Sequence, residues 1–173
     1  MSCLVVLVGP PGSGKTTWAR ANGLGAVHVS QDDLIDAITP DGFDHIYRPV
    51  YAAAEDAVAR AALKAGHAVI VDRTNRTRTH RERWVQIALE QSCPAVAVEM
   101  TTPFSLCRSR NRERAGYRRL SEERMERMLS AMEPVRPDEG FSAIYAGDAV
   151  ILADILTRSQ QQENSNEYCH KAR

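Results

Sequence analysis

Lysine is nearly missing from this chain: of 22 basic residues only Lys15, Lys64 and Lys171 are lysines, and the rest are arginines. That bias reflects either coding composition or a use of planar guanidinium groups for bidentate contacts to phosphate. Net charge is missing too. Lys plus Arg is 22 and Asp plus Glu is 22, which excludes a globally basic nucleic-acid coat, though not a local basic patch. The cysteines Cys3, Cys93, Cys107 and Cys169 show no ligand spacing and no secreted disulfide framework. No apolar run is long enough to span a membrane. The apolar start Met1–Val8 lacks a basic leader and runs into a glycine-rich stretch, so it reads as a strand rather than a signal peptide. A cytoplasmic protein with no membrane partner is the expectation. What is present, 173 residues that are 43% hydrophobic and 25% charged, suits one folded domain.

Short unbroken apolar runs alternate with periodic segments. Cys3–Val8, Val27–Val29, Ala68–Val71 and Ala95–Met100 read as buried strands. Between them, Thr16–Asn22, Asp32–Ile38, Val50–Ala65 and a segment from Thr77 or Thr79 to about Gln91 read as helices, with Asp41–Pro49 as a loop. Trp84 lies on an apolar stripe and reads as core. Pro103 suits a helical first turn, and Ser121 is placed to cap a helix with Met125, Met128, Leu129 and Met132 on one face. Pro137–Gly147 shows no regular pattern, and Val150–Leu156 fits a strand or a helix. This alternation predicts an α/β fold: three layers, a mainly parallel sheet, and the phosphate-loop NTPase architecture once the motif below is added. The domain is expected over residues 1–158, with a lid at about 108–119 and a polar, disordered tail over 159–173.

Gly9-Pro10-Pro11-Gly12-Ser13-Gly14-Lys15-Thr16-Thr17 carries the full G-x-x-x-x-G-K-[ST] pattern between a strand and a helix. Glycines let backbone N–H groups converge on one anion, and the helix N-terminus adds its positive end. Gly9, Gly12, Ser13, Gly14, Lys15, Thr16 and Thr17 are therefore expected to bind a nucleoside triphosphate. Lys15 reaches the β- and γ-phosphates and Thr16 holds Mg²⁺. The base-reading Asn-Lys-x-Asp of a switch GTPase is absent, and the size favours a small kinase over a motor ATPase.

Strand ends supply the other candidates, because open α/β sheets bind ligands at the carboxyl ends of their strands. Asp32 and Asp33 follow the second strand. One of them is placed to take the proton of an acceptor hydroxyl and the other to cap the helix ahead. Asp72 ends the third strand, where a carboxylate meets Mg²⁺ or its water shell. Asn75 positions substrate or pins its loop. Two arginine-rich stretches follow. Arg73, Arg76, Arg78, Arg81 and Arg83 offer a surface to a polyanionic acceptor, and six arginines crowd residues 108–119, where a lid closes over ATP.

These motifs together resemble the polynucleotide 5′-hydroxyl kinase group of phosphate-loop kinases, over roughly Leu4 to Met132. The resemblance rests on Gly9–Arg20, on Val29-Ser30-Gln31-Asp32-Asp33, on Asp72-Arg73-Thr74-Asn75 followed by Trp84, and on Arg110-Asn111-Arg112-Glu113-Arg114. It implies that Asp32 is the general base and that Arg110 and Arg114 are lid arginines on the transferring phosphate, with ATP and Mg²⁺ as cofactors. Family members acting on nucleic-acid ends carry an arginine three residues after the base. Here Ile35 stands there, leaving Arg48 or the Arg76–Arg83 cluster to grip the acceptor. The expected activity is ATP-dependent phosphorylation of the 5′-hydroxyl of DNA or RNA. A kinase of a small hydroxylated molecule and a nucleotide-dependent switch or adaptor are the alternatives.

Overall fold

Successive side chains of Cys3–Val8 point to opposite faces of a sheet, and both faces are covered. Leu4, Val6 and Val8 join one apolar cluster; Cys3, Val5 and Leu7 join another. The strand is apolar at every position because it has no solvent side. The computed structural model describes residues 2–39, 41–147 and 149–171, with side chains described through residue 161.

Among the described residues one sheet forms from β1 (Leu4–Val8), β2 (Ala26–Ser30), β3 (Ala68–Asp72), β4 (Ala95–Glu99) and β5 (Ala143–Ala146). Every pairing is parallel, in the order β2-β3-β1-β4-β5. The helices are α1 (Lys15–Asn22), α2 (Gln31–Ile38), α3 (Arg48–Lys64), α4 (Arg78–Glu90), α5 (Phe104–Arg112), α6 (Glu122–Ser130) and α7 (Leu152–Lys171). Ala59, Ala62 and Leu63 of α3 and Trp84, Val85, Ile87 and Ala88 of α4 cover one face. Trp18 and Ala19 of α1 and Leu152 and Ile155 of α7 cover the other. The α/β reading with a parallel sheet holds.

Four details differ from the sequence reading. The loop predicted through Pro49 ends earlier: α3 starts at Arg48 and takes Pro49 into its first turn, where a missing N–H costs nothing. The patternless stretch contains β5, a four-residue edge strand paired with β4 from Val96↔Ala143 to Glu99↔Ala146. Val150–Leu156 resolves into the start of a helix. The polar tail expected from residue 159 is helical through Lys171. Leu152, Ile155 and Ser159 are buried and fix the first turns, and propagation from a formed nucleus needs no apolar stripe of its own.

The arginine cluster after β3 is mostly paired within the fold. Arg81 is fully buried and clamps Glu139 through Nε–Oε2 and Nη2–Oε1 bonds of 2.6 Å each. Its remaining donors reach the carbonyls of Asn75, Glu133 and Pro134 at 3.0, 3.1 and 3.3 Å. This pair fastens the turn before β5 to α4. Removing one partner strands a buried charge, so Arg81→Ala or Glu139→Ala is expected to cost on the order of 3–5 kcal/mol. Urea unfolding midpoints check this. The double variant Arg81→Met/Glu139→Leu should recover much of the loss, and a negligible effect of either single variant would contradict the assignment.

Candidate functional site

Strand β1 ends at Val8, and the next backbone turn must reverse into α1 within six residues. Gly12 (φ 82°) sits so close to α5 that a Cβ there would lie 2.6 Å from the Cys107 carbonyl oxygen. Gly14 (φ 91°) occupies the N-cap of α1 without a side-chain cap, which leaves the first helical N–H groups free for a ligand. The Lys15 amine is buried and folds back over this loop, donating to the carbonyls of Gly9 and Pro10 at 2.9 Å each and approaching Ser13 Oγ at 3.4 Å. Burial, opposed by nearby Asp72 and reinforced by Arg114, lowers its pKa to about 8. A cation so poorly solvated gains strongly from an incoming phosphate.

Parallel pairing brings the other strand ends to this loop. Asp72 lies opposite Leu7 on one side and Ser30 on the other. Burial would raise its carboxyl, but hydrogen bonds from His28 and Thr16 and the charge of Lys15 carry it below the usual range. The His28 Nε2–Asp72 Oδ2 separation is 3.2 Å. The Thr16 hydroxyl and the Asp72 carboxylate are adjacent hard oxygen donors. That set fits Mg²⁺, which takes few protein ligands and completes its shell with water and phosphate. No cluster of three or more His, Cys, Asp or Glu side chains placed to hold a metal occurs among the described residues.

Ser30 Oγ accepts from the Asp33 N–H at 3.3 Å and so caps α2. The cap role expected of an aspartate belongs to this serine. Asp32 and Asp33 occupy the first turn instead, beside the positive helix end. Asp32 stands over the rim near Lys15, Asp72, Arg114 and Arg118. The protein around its carboxyl raises its pKa, Arg118 and Arg114 oppose that rise, and Asp72 and Asp33 add to it. A carboxylate with a raised pKa beside an anion-binding loop is equipped to accept a proton.

Arg110 Nη1 donates to the Gly12 carbonyl at 3.1 Å. Arg110 and Arg114 both line a cavity of about 630 Å³ that also contains Gly12–Trp18, Met100–Thr102 and Gly147. Three of the other four lid arginines are engaged elsewhere: Arg108 with Glu126, Arg112 with Glu122, and Arg118 with Asp36. Met100–Thr102 and Gly147 were missed by sequence reasoning. The signal available was their place just beyond β4 and β5, on the same rim as the loop.

The acceptor-side candidates fare unevenly. Asn75 is buried, with Nδ2 donating to the Leu7 carbonyl at 2.7 Å and Oδ1 accepting from Trp84 Nε1 at 3.0 Å. Its amide is spent on bonds within the fold, which pin the loop. Trp84 is core, as expected. Arg73 reaches Glu55 at 2.7 Å, and Arg83 reaches Glu55 at 3.0 Å and Asp56 at 2.7 Å. Glu55 is fully buried; burial pushes its carboxyl up against the pull of these arginines. Arg78 binds Asp138 at 2.8 Å. Arg48 lies against His45 (3.4 Å) and over the Phe43 ring (5.9 Å) at the start of α3. Arg76 is half-buried, and its Nε has no hydrogen-bond partner among the described residues. Four of the five arginines of the Arg73–Arg83 cluster are thus paired with buried or neighbouring carboxylates, and Arg76 is the exception among the described ion pairs.

A family model described as AAA domain matches residues 4–135. A bifunctional polynucleotide phosphatase/kinase of Schizosaccharomyces pombe is 28% identical over 110 residues, covering 62% of this chain and 23% of that protein. A shikimate kinase of Corynebacterium efficiens is 31% identical over 114 residues, covering 58% of this chain and 68% of that one. The crystal structure of a putative kinase from Chloroflexus aurantiacus superposes with a TM-score of 0.68 at 20% identity, covering 95% of this chain and 97% of that one. The chain thus spans about a quarter of the polynucleotide phosphatase/kinase and most of the shikimate kinase.

Proposed function

We propose a reaction for a chain that belongs to the AAA domain family, in its group of phosphate-loop kinases related to the polynucleotide kinases: the γ-phosphate of ATP passes directly to an alcohol held beside Asp32. The observation that supports this reading is that Asp32, Asp72 and Arg114 all lie near enough to Lys15 of the phosphate loop to act on its charge. Lys15 and the loop N–H groups hold the β- and γ-phosphates. Thr16 and Asp72 would hold Mg²⁺, which supplies charge neutralisation on the phosphates when bound. Asp32 orients the acceptor hydroxyl and takes its proton. Arg110 and Arg114 face charge developing on the transferring group. A switch or adaptor has no need of a carboxylate placed there.

The acceptor side suits a small hydroxylated molecule. Between Gln31 and Asp44 the chain carries five aspartates and no lysine or arginine, a wall that repels a polyphosphate strand. Ile35 is buried in place of a gripping arginine, and four of the five arginines of the Arg73–Arg83 cluster are held in ion pairs. The second reading, a 5′-hydroxyl nucleic-acid end, is favoured by similarity to the polynucleotide phosphatase/kinase. Labelled ATP with a panel of sugars, polyols, nucleosides and 5′-hydroxyl oligonucleotides, at two salt concentrations, separates them. Transfer to a small alcohol with a weak salt effect is expected. Transfer to oligonucleotides that falls steeply with salt would establish the second reading instead.

A further inference from the structure

The loop that carries Arg114 between α5 and α6 is closed at its base and fastened at its tip. At the base, Asn111 Nδ2 donates to the Leu120 carbonyl at 2.9 Å and Asn111 Oδ1 accepts from the Leu120 N–H at 3.1 Å. The Arg108–Glu126 and Arg112–Glu122 pairs brace α5 against α6. At the tip, the one-turn helix Gly116–Arg118 reaches across the cleft to α2, 81 residues away in sequence. There the Tyr117 hydroxyl donates to Asp36 Oδ1 and Arg118 Nη2 to Asp36 Oδ2, with Asp33 Oδ1 at 3.9 Å. The Tyr117 ring also packs over Gly42, so closely that a Cβ on Gly42 would lie 3.0 Å from it.

We propose that the Tyr117–Arg118 turn is a latch, with Asp36 as its catch, that shuts the lid onto α2 over Asp32, so that nucleotide and acceptor exchange only when this contact opens. Three features fit a gate rather than a permanent seam. The participating side chains are partly exposed, 39% for Arg118 and 48% for Asp36, and exposed ion pairs of this kind are individually weak. The loop joining tip to base also bears Arg114, which lines the same cavity as the phosphate loop, so opening the tip draws Arg114 away from that cavity. Arg118 is also the cation that most favours ionised Asp32, ahead of Arg114. Closure therefore assembles the base and the donor site together. The consequence for catalysis rests on the reading of Asp32 given under Proposed function; the latch itself does not.

The test uses a fluorescent N-methylanthraniloyl ADP in stopped-flow exchange, together with limited trypsin cleavage after Arg119. Neither measurement requires turnover. In Asp36→Asn and Tyr117→Phe, association and dissociation rate constants should both rise by roughly threefold to tenfold, the scale on which a small network of exposed ion pairs acts. Cleavage after Arg119 should accelerate in step. Raised salt should speed exchange in the wild type more than in Asp36→Asn. The charge-reversed pair Asp36→Arg/Arg118→Asp should slow exchange again relative to Asp36→Arg alone, a rescue that a general loss of structure would not show. Wild-type exchange and wild-type cleavage in Asp36→Asn would overturn the latch. Faster exchange in a protein that phosphorylates no acceptor would support the latch and count against the kinase reading.

Discussion

Asp32→Asn is expected to keep nucleotide affinity nearly unchanged while lowering turnover by about 10²–10⁴-fold, the range a positioned general base supplies. The substitution preserves size and hydrogen-bonding shape in the first turn of α2, where Ser30 rather than Asp32 makes the cap. What it removes is the capacity to accept a proton, which matters only as the acceptor oxygen attacks. The loss should thus fall on kcat and kcat/KM together. Asp33→Asn should cost far less, because Asp33 faces Arg118 at 3.9 Å rather than the loop. The wild-type pH profile gives a second check. Surrounding protein raises the Asp32 carboxyl above the ordinary aspartate value. The ionised base is present above that raised pKa and lost as pH falls through it, so the acid limb of kcat/KM should lie above the ordinary carboxylate range and vanish from the residual activity of Asp32→Asn. Full activity in that variant would remove the proposed base for any acceptor.

Lys15→Ala should reduce phosphoryl transfer by at least ~10²-fold and weaken nucleotide binding as well. The amine is held within hydrogen-bond reach of the Gly9 and Pro10 carbonyls inside the loop, with little water around it. An ammonium in that position interacts with phosphate through a low effective dielectric, and alanine leaves the transferring charge without its nearest buried cation. Lys15→Arg should rescue poorly, because the larger planar head does not fit a cavity shaped around a single amine. Labelled-phosphate transfer and calorimetric ATP binding on folded protein decide the matter. Near-normal turnover in Lys15→Ala would exclude the phosphate loop as the donor site.

Legibility differed among residues of the same type. Arg81, Arg110 and Arg118 are identical letters, yet one is fully buried against Glu139, one lies over Gly12, and one clasps Asp36. Spacing on a helix says which residues share a face but not which distant carboxylate that face meets, and Arg81 meets its partner 58 residues away. Arg110 was singled out through its resemblance to a family motif, and the fold sets it on the Gly12 carbonyl. Asn75 stayed open between substrate and loop for the opposite reason: a polar side chain beyond a strand end looks available, and only packing shows that Leu7 and Trp84 take both ends of its amide.

Local rules marked the phosphate loop, four of the strands and the cap at Ser121, and narrowed the α4 cap to Thr77 or Thr79, of which the structure takes Thr77. In the loop and the caps the interacting groups lie within a few residues, so covalent spacing fixes their geometry, while the strands announce themselves by unbroken apolar runs. The sequence by itself also placed Asp32 and Asp72 at strand ends, since a parallel sheet gathers those ends on one rim. Tertiary structure alone decided the rest. β5 became a strand because β4 offered it a free edge, and α7 continued past Ser159 because its first turns are buried on the sheet. Arg73, Arg78, Arg81 and Arg83 found Glu55, Asp56, Asp138 and Glu139, and the lid tip found Asp36. A charge goes wherever burial leaves an opposite charge without water, and that choice depends on which distant segments the sheet order brings together.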